Sequence, residues 1–218
     1  MKILQINKFN YLRGGAERCF LELSKILAEH GNEVITFSMQ HEKNLHNQYE
    51  KYFTNEVNLN TFSLKNIFKI FYNREAAKKL EALIKKEKPD IAHLHNIYHQ
   101  ISTSIIKVLK KYQIPTVMTL HDYKIICPNY QLFSKNEICY KCQGGKYYNC
   151  LVRKCSKNSY AKSFLAMLEA YFNKKNYDQI DLFIAPSQFM KDICVKFGIP
   201  ESKIEVIYNF IKTKNPAI

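Results

Sequence analysis

Several things are scarce in this chain of 218 residues, and each scarcity excludes something. Acidic residues number 19 against 33 lysines and arginines, giving a formal net charge of +14. An excess of that size points to an anionic partner, whether nucleic acid, a membrane surface or a phosphorylated ligand. Glycine and proline occur only six times each, which excludes collagen-like and low-complexity chains. No stretch approaches the ~18 apolar residues of a membrane-spanning helix. The opening MKILQINKFN is too short in apolar run for a secretory leader, and no small-residue cleavage site follows. These absences lead us to expect a cytoplasmic protein, either soluble or peripheral on the inner face of the membrane. In a reducing cytosol its seven cysteines stay as thiols or metal ligands.

What is present is ordinary globular composition, 46% hydrophobic and 24% charged, enough to bury a core without disulfides. Short apolar runs alternate with helical periods from end to end. Strands are expected at 2–7, 33–38, 91–95, 116–120, 181–185 and 205–208. Helices are expected after Gly14-Gly15, from Leu64 to Phe71 with a second run reaching Glu87, over 104–112, from Tyr160 to Phe172, and from Phe189 to Phe197. Residues 122–158 read as a loop-like insertion holding five cysteines. The alternation predicts an α/β fold, a Rossmann-like doubly wound parallel sheet flanked by helices. Ligands then bind beyond the carboxyl ends of the strands. Candidates there are Gly14, Gly15 and Glu17, then His93, His95, Asn96 and His99, then His121 and Asp122, and finally Pro186 and Ser187.

Each candidate carries two readings. Gly14-Gly15 opens a helix and admits a phosphate, or it is a plain tight turn; G-x-G-x-x-G spacing is missing. His121 can donate to a ligand oxygen with Asp122 beside it, or the loop caps itself through the aspartate. Cys139-x-x-Cys142 with Cys150 and Cys155 suggests a four-thiolate structural zinc, though the second pair is looser than usual, and free thiols are the alternative. The charge excess lies between residues 65 and 160. Within it, Leu64–Lys79 reads as a basic amphipathic segment for an anionic membrane, or as a core-facing helix with a solvated face.

Read in order, Gly14-Gly15-Ala16-Glu17, the run from Pro89 to Asn96, Thr119-Leu120-His121-Asp122, Ala185-Pro186-Ser187-Gln188-Phe189 and Val206-Ile207-Tyr208-Asn209 resemble family 4 glycosyltransferases. The resemblance implies one half of a GT-B architecture, with residues 1–210 as the N-terminal, acceptor-side domain. It implies that 211–218 begin the interdomain linker and that the donor domain is absent. It further implies a retaining transfer from a nucleotide-sugar to a lipid-linked or polysaccharide acceptor, with no cofactor required for chemistry and the isolated chain inactive. By the same resemblance His121 contacts the transferred sugar and Gly14 and Gly15 approach the donor diphosphate. Glu17, His95, Asn96 and Asp122 border the acceptor. Phe210 stands where the family pattern has glycine. Two other functions compete: a stand-alone Rossmann-like binding module, and a zinc-stabilised nucleic-acid-binding protein. Against the last, no nucleic-acid-binding motif or stacking platform is present.

Overall fold

The computed structural model describes residues 1–57 and 64–210, without the side chains of residues 64 and 65. The linker expected at 211–218 lies outside them. In chain order the main elements are β1 (Lys2–Ile6), α1 (Gly15–Glu29), β2 (Glu33–Phe37), α2 (Leu64–Phe71), α3 (Arg74–Glu87), β3 (Ile91–Leu94), α4 (Ser104–Lys111) and β4 (Thr116–Thr119). They continue with β5 (Phe133–Ser134), β6 (Glu137–Ile138), α5 (Tyr148–Val152), α6 (Tyr160–Tyr177), β7 (Leu182–Ala185), α7 (Gln188–Lys196) and β8 (Ile204–Val206).

Six strands form one sheet in the order β2-β1-β3-β4-β7-β8, and every pair in it is parallel. The Rossmann-like α/β class expected from the alternation is therefore present. The strands are apolar because helices cover both faces: Leu4, Ile6, Ile35, Phe37, Ala92, Leu94 and Ala185 are all fully buried. Strand order reverses between β1 and β3, whose register pairs Gln5 with His93. A doubly wound sheet opens its crevice at that switch point.

The two helical runs expected between Leu64 and Glu87 are both present, separated by Asn73, which caps the second, its Oδ1 accepting from Ala76 N at 3.1 Å. One local reading changes. The excursion 122–158 is more than loop: it carries the β5–β6 hairpin and the short helix α5. Its pattern was hidden because two-residue strands are too short to show a period.

The basic stretch between residues 65 and 115 is partly ion-paired. Lys79 pairs with Glu75, Lys85 and Lys111 with Glu81, Lys86 with Glu87, and Lys110 with Asp181. Ion pairs thus engage several of the lysines of α3 and α4. Among the described residues no helix is long and apolar enough to cross a membrane.

Candidate functional site

The site begins with a backbone frame at the carboxyl ends of β1 and β3. Asn96 N donates to Asn7 Oδ1 at 3.1 Å, and Lys8 N donates to the Asn96 carbonyl at 2.9 Å. Asn7, fully buried, also donates to Phe9 O. These bonds hold the two strand ends side by side and point their side chains into the crevice.

A chain of three histidines crosses that opening. His95 Nδ1 and His121 Nε2 stand 2.8 Å apart, His95 Nε2 lies 2.9 Å from Gln5 Oε1, and His93 Nε2 lies 2.7 Å from Thr119 Oγ1. His93 stacks on His95, and His95 on His121, with centroids 4.4 and 5.1 Å apart. The Gln5 amide fixes the tautomers: its oxygen requires a proton on His95 Nε2. His95 Nδ1 then accepts from His121 Nε2–H, leaving His121 Nδ1 as an acceptor. Phe20 of α1 closes the stack edge-on against His95 at 5.4 Å.

Burial keeps all three rings neutral. It lowers His121 to about 4, against the pull of Asp122, and His93 to about 4, helped by His121. His95, with no exposed surface, is likewise held well below its ordinary value by burial, helped by His93 and His121. At neutral pH the cluster is therefore a set of hydrogen-bonding groups rather than proton donors.

The linkage has a definite sign. Folded pKa values below the unfolded 6.5 mean that the unfolded chain binds more protons between pH 6.5 and about 4, so stability is lost as pH falls through that window. Urea unfolding at pH 7 and pH 5 should show a loss on the order of a few kcal/mol, with a smaller loss in His121→Asn. Equal stability at both pH values would contradict the neutral cluster.

The expected residues converge unequally. His95, Asn96 and His121 stand in the crevice as the strand-end rule required. Asp122 is there, but its oxygens are engaged: Oδ1 accepts from Lys124 N at 2.8 Å and Oδ2 from the Tyr98 hydroxyl. It caps its own loop, as one of the two readings had it. Glu17 is 5% exposed, lies beside Gly14 and has no hydrogen-bonding partner among the described residues. Gly14 is the N-cap of α1 in an extended conformation, and no side chain caps that helix. Neither glycine has positive φ, so this backbone does not itself require glycine. A Cβ on Gly15 would meet nothing within 4 Å, which leaves the helix N-terminus open to a ligand.

His99 falls outside the chain of histidines; its Nδ1 lies 3.3 Å from Glu169 Oε1. Ser187 caps α7 as expected, its Oγ accepting from Met190 N. Asn209 returns to α1, 3.8 Å from Cys19 Sγ.

Lys8 was not among the expected residues. Its ammonium lies 4.0 Å from the Tyr98 ring centroid and has no ion-pair partner among the described residues. Burial lowers it to about 8, against the attraction of Asp122 and Glu17. The signal was available, since Lys8 is the second residue after β1. Counting crevice residues from Gly14 passed over the seven positions before it.

Cys127, Cys139, Cys142, Cys150 and Cys155 line one small cavity under the β5–β6 hairpin. Cys155 is held down to about 6 by the Cys150 thiol, whose own pKa is pushed up. Among the described residues no three His, Cys, Asp or Glu side chains stand as metal ligands. The thiols expected at a zinc are thus gathered in one place, without a four-thiolate arrangement as the side chains stand.

A profile for Glycosyltransferase Family 4 matches residues 13–215. A Klebsiella pneumoniae protein described as an "Uncharacterized 42.6 kDa protein in cps region" is 27% identical over 98% of this chain and 56% of its own length. The chain therefore spans about half of that relative. Among solved structures, sucrose-phosphate synthase of Thermosynechococcus elongatus aligns with a TM-score of 0.55 at 13% identity, over 95% of this chain and 47% of that one. The lipopolysaccharide outer core galactosyltransferase WaaB, in its apo form, gives 0.51 at 18%, over 98% and 47%. The UDP-GlcNAc 2-epimerase of Methanocaldococcus jannaschii gives 0.51 at 16%, over 96% and 46%. At such identities these likenesses show the fold, here the GT-B half. The profile match covers nearly the whole chain, and the chain belongs to glycosyltransferase family 4.

Proposed function

We propose that this chain is the acceptor-side half of a transferase that moves a sugar, with retention, from a nucleotide-sugar to a lipid-linked or polysaccharide acceptor. The observation that carries the reading is the neutral histidine chain at the β1/β3 switch point, beside an uncapped helix N-terminus. Neutral imidazoles and buried amides suit sugar hydroxyls, which need oriented donors and acceptors rather than charge. The open end of α1 suits a diphosphate. The cps-region setting of the Klebsiella relative favours a surface polysaccharide as the product.

The transfer reaction is proposed for the protein that unites this domain with a nucleotide-sugar-binding one; the 218 residues alone are expected to transfer nothing. The test is incubation of the complete protein with labelled nucleotide-sugars and a membrane-lipid extract. The expected result is acceptor-dependent release of nucleoside diphosphate, with label in the lipid or polymer fraction. Release without an acceptor product would point instead to hydrolase or epimerase chemistry.

A further inference from the structure

Helix α6 buries a mostly polar face. Besides Met167 and Tyr177, which join apolar clusters, the side chains it buries are Ser163, Glu169, Asn173 and Asn176, all under 5% exposed. Each finds a polar partner there. Asn173 Oδ1 accepts from the Thr103 hydroxyl at 2.7 Å, Asn176 Nδ2 donates to Thr103 Oγ1, Ser163 Oγ accepts from Ser156 N, and Glu169 meets Lys124. The helix is docked by a polar seam. Its apolar stripe, Tyr160, Phe164, Leu168, Tyr171 and Phe172, consequently faces outward, with both phenylalanines 48% exposed. A helix of a soluble globule ordinarily does the reverse.

The stripe is extended on both sides. From α2, Phe71 packs edge-on against Phe172 at 5.7 Å, and Phe68 is 69% exposed. From α5, Tyr148 and Val152 are exposed, and the Tyr148 amide lies 3.3 Å from the Tyr171 hydroxyl. A contiguous apolar face of this kind marks an interaction surface.

The charge around it selects the occupant. Residues 148–177 contain six basic side chains and one acidic, Glu169, which is buried against Lys124. Residues 64–71 contain two lysines and no acid. Lys154 lies over the Tyr160 ring at 4.2 Å, and Lys175 sits on the same outward arc of α6. Arg153 is paired with Glu137 and Lys69 with Glu75, whereas Lys154, Lys162, Lys174 and Lys175 have no ion-pair partner among the described residues; aromatic side chains flanked by such lysines match the boundary of an anionic bilayer.

We propose that the outward face of α6, flanked by α2 and α5, docks this protein on an anionic lipid membrane. Chain order places the surface usefully. Since α6 leads from the end of β4 back to the start of β7, its first turns, bearing Tyr160 and Phe164, lie at the end of the sheet where the crevice opens. A docked protein would present its crevice at the height of the headgroups. The proposal does not depend on the transferase reading, because lipid binding is measured without turnover.

The chain contains no tryptophan, so Phe164→Trp installs a single reporter on the face. With vesicles of phosphatidylglycerol in phosphatidylcholine its emission should move to the blue and the 218-residue chain should co-sediment. Pure phosphatidylcholine should give little of either, and high salt should weaken both. Phe164→Ser/Phe172→Ser should fold normally, since both side chains are exposed, and lose at least about ten-fold in bound fraction. Co-sedimentation unaffected by the double variant would overturn the proposal, as would no response to anionic vesicles. A concentration-dependent dimer broken by the double variant, without lipid binding, would assign the face to a second copy.

Discussion

Replacing His121 by alanine in the complete transferase is expected to lower turnover by about 100-fold or more, with little change in melting temperature or acceptor KM. The size is that of losing one preorganised polar contact at a reacting centre. On the proposed reading the contact falls to one atom. Because Gln5 fixes His95, and His95 accepts from His121 Nε2–H, the free Nδ1 of His121 can accept from a sugar hydroxyl. The ring is neutral at working pH, so the loss should be the same from pH 6 to 8. His121 is only half-buried, so its removal should leave the fold standing. His121→Gln retains an acceptor at about the same reach and should recover part of the rate. A variant with normal turnover would take His121 out of the site. A fall in kcat that tracks a fall in melting temperature would assign it a structural role.

Lys124→Met is expected to have the largest effect on stability, about 3–5 kcal/mol. Lys124 is 6% exposed and Glu169 1%. The ammonium donates to Glu169 Oε2 at 2.7 Å and to the Pro128 carbonyl at 3.1 Å. Burial by itself would raise the Glu169 carboxyl, yet Lys124 and His99 hold it down at about 2. Without the lysine, a fully buried carboxylate faces His99 alone, and Glu169 Oε1 has no hydrogen bond even now.

At about 2–4 °C per kcal/mol for a domain of this size, the midpoint should drop by roughly 10 °C. Lys124→Met/Glu169→Leu should recover most of that loss, since removing both charges leaves nothing to desolvate. A single variant melting within about 2 °C of the parent would show that the pair contributes little. The pair pins the start of the 122–158 excursion to α6, so its loss should also loosen the apolar face that α6 presents.

The sheet was legible in the sequence because its strands are buried on both faces. Runs such as Ile91–Leu94 and Thr116–Thr119 are short, mostly apolar or β-branched and bounded by Pro89-Asp90 and Pro115, and no tertiary detail changes what they form. The histidines were legible by position, since anything just after a parallel strand reaches the crevice. Their bonding was not. Gln5 lies 88 residues before His93 and 116 before His121, and only strand order brings β1 beside β3 and so fixes which nitrogen carries each proton.

Helix α6 shows the limit most clearly. Its apolar period from Tyr160 to Phe172 is real, and a period alone points toward a core. The face that turned inward was decided by partners distant in the chain, Thr103 and Lys124, whose hydrogen bonds and charge capture the polar side. Local spacing determined that α6 is a helix with two faces. Tertiary structure decided which face met the protein and which was left for something else.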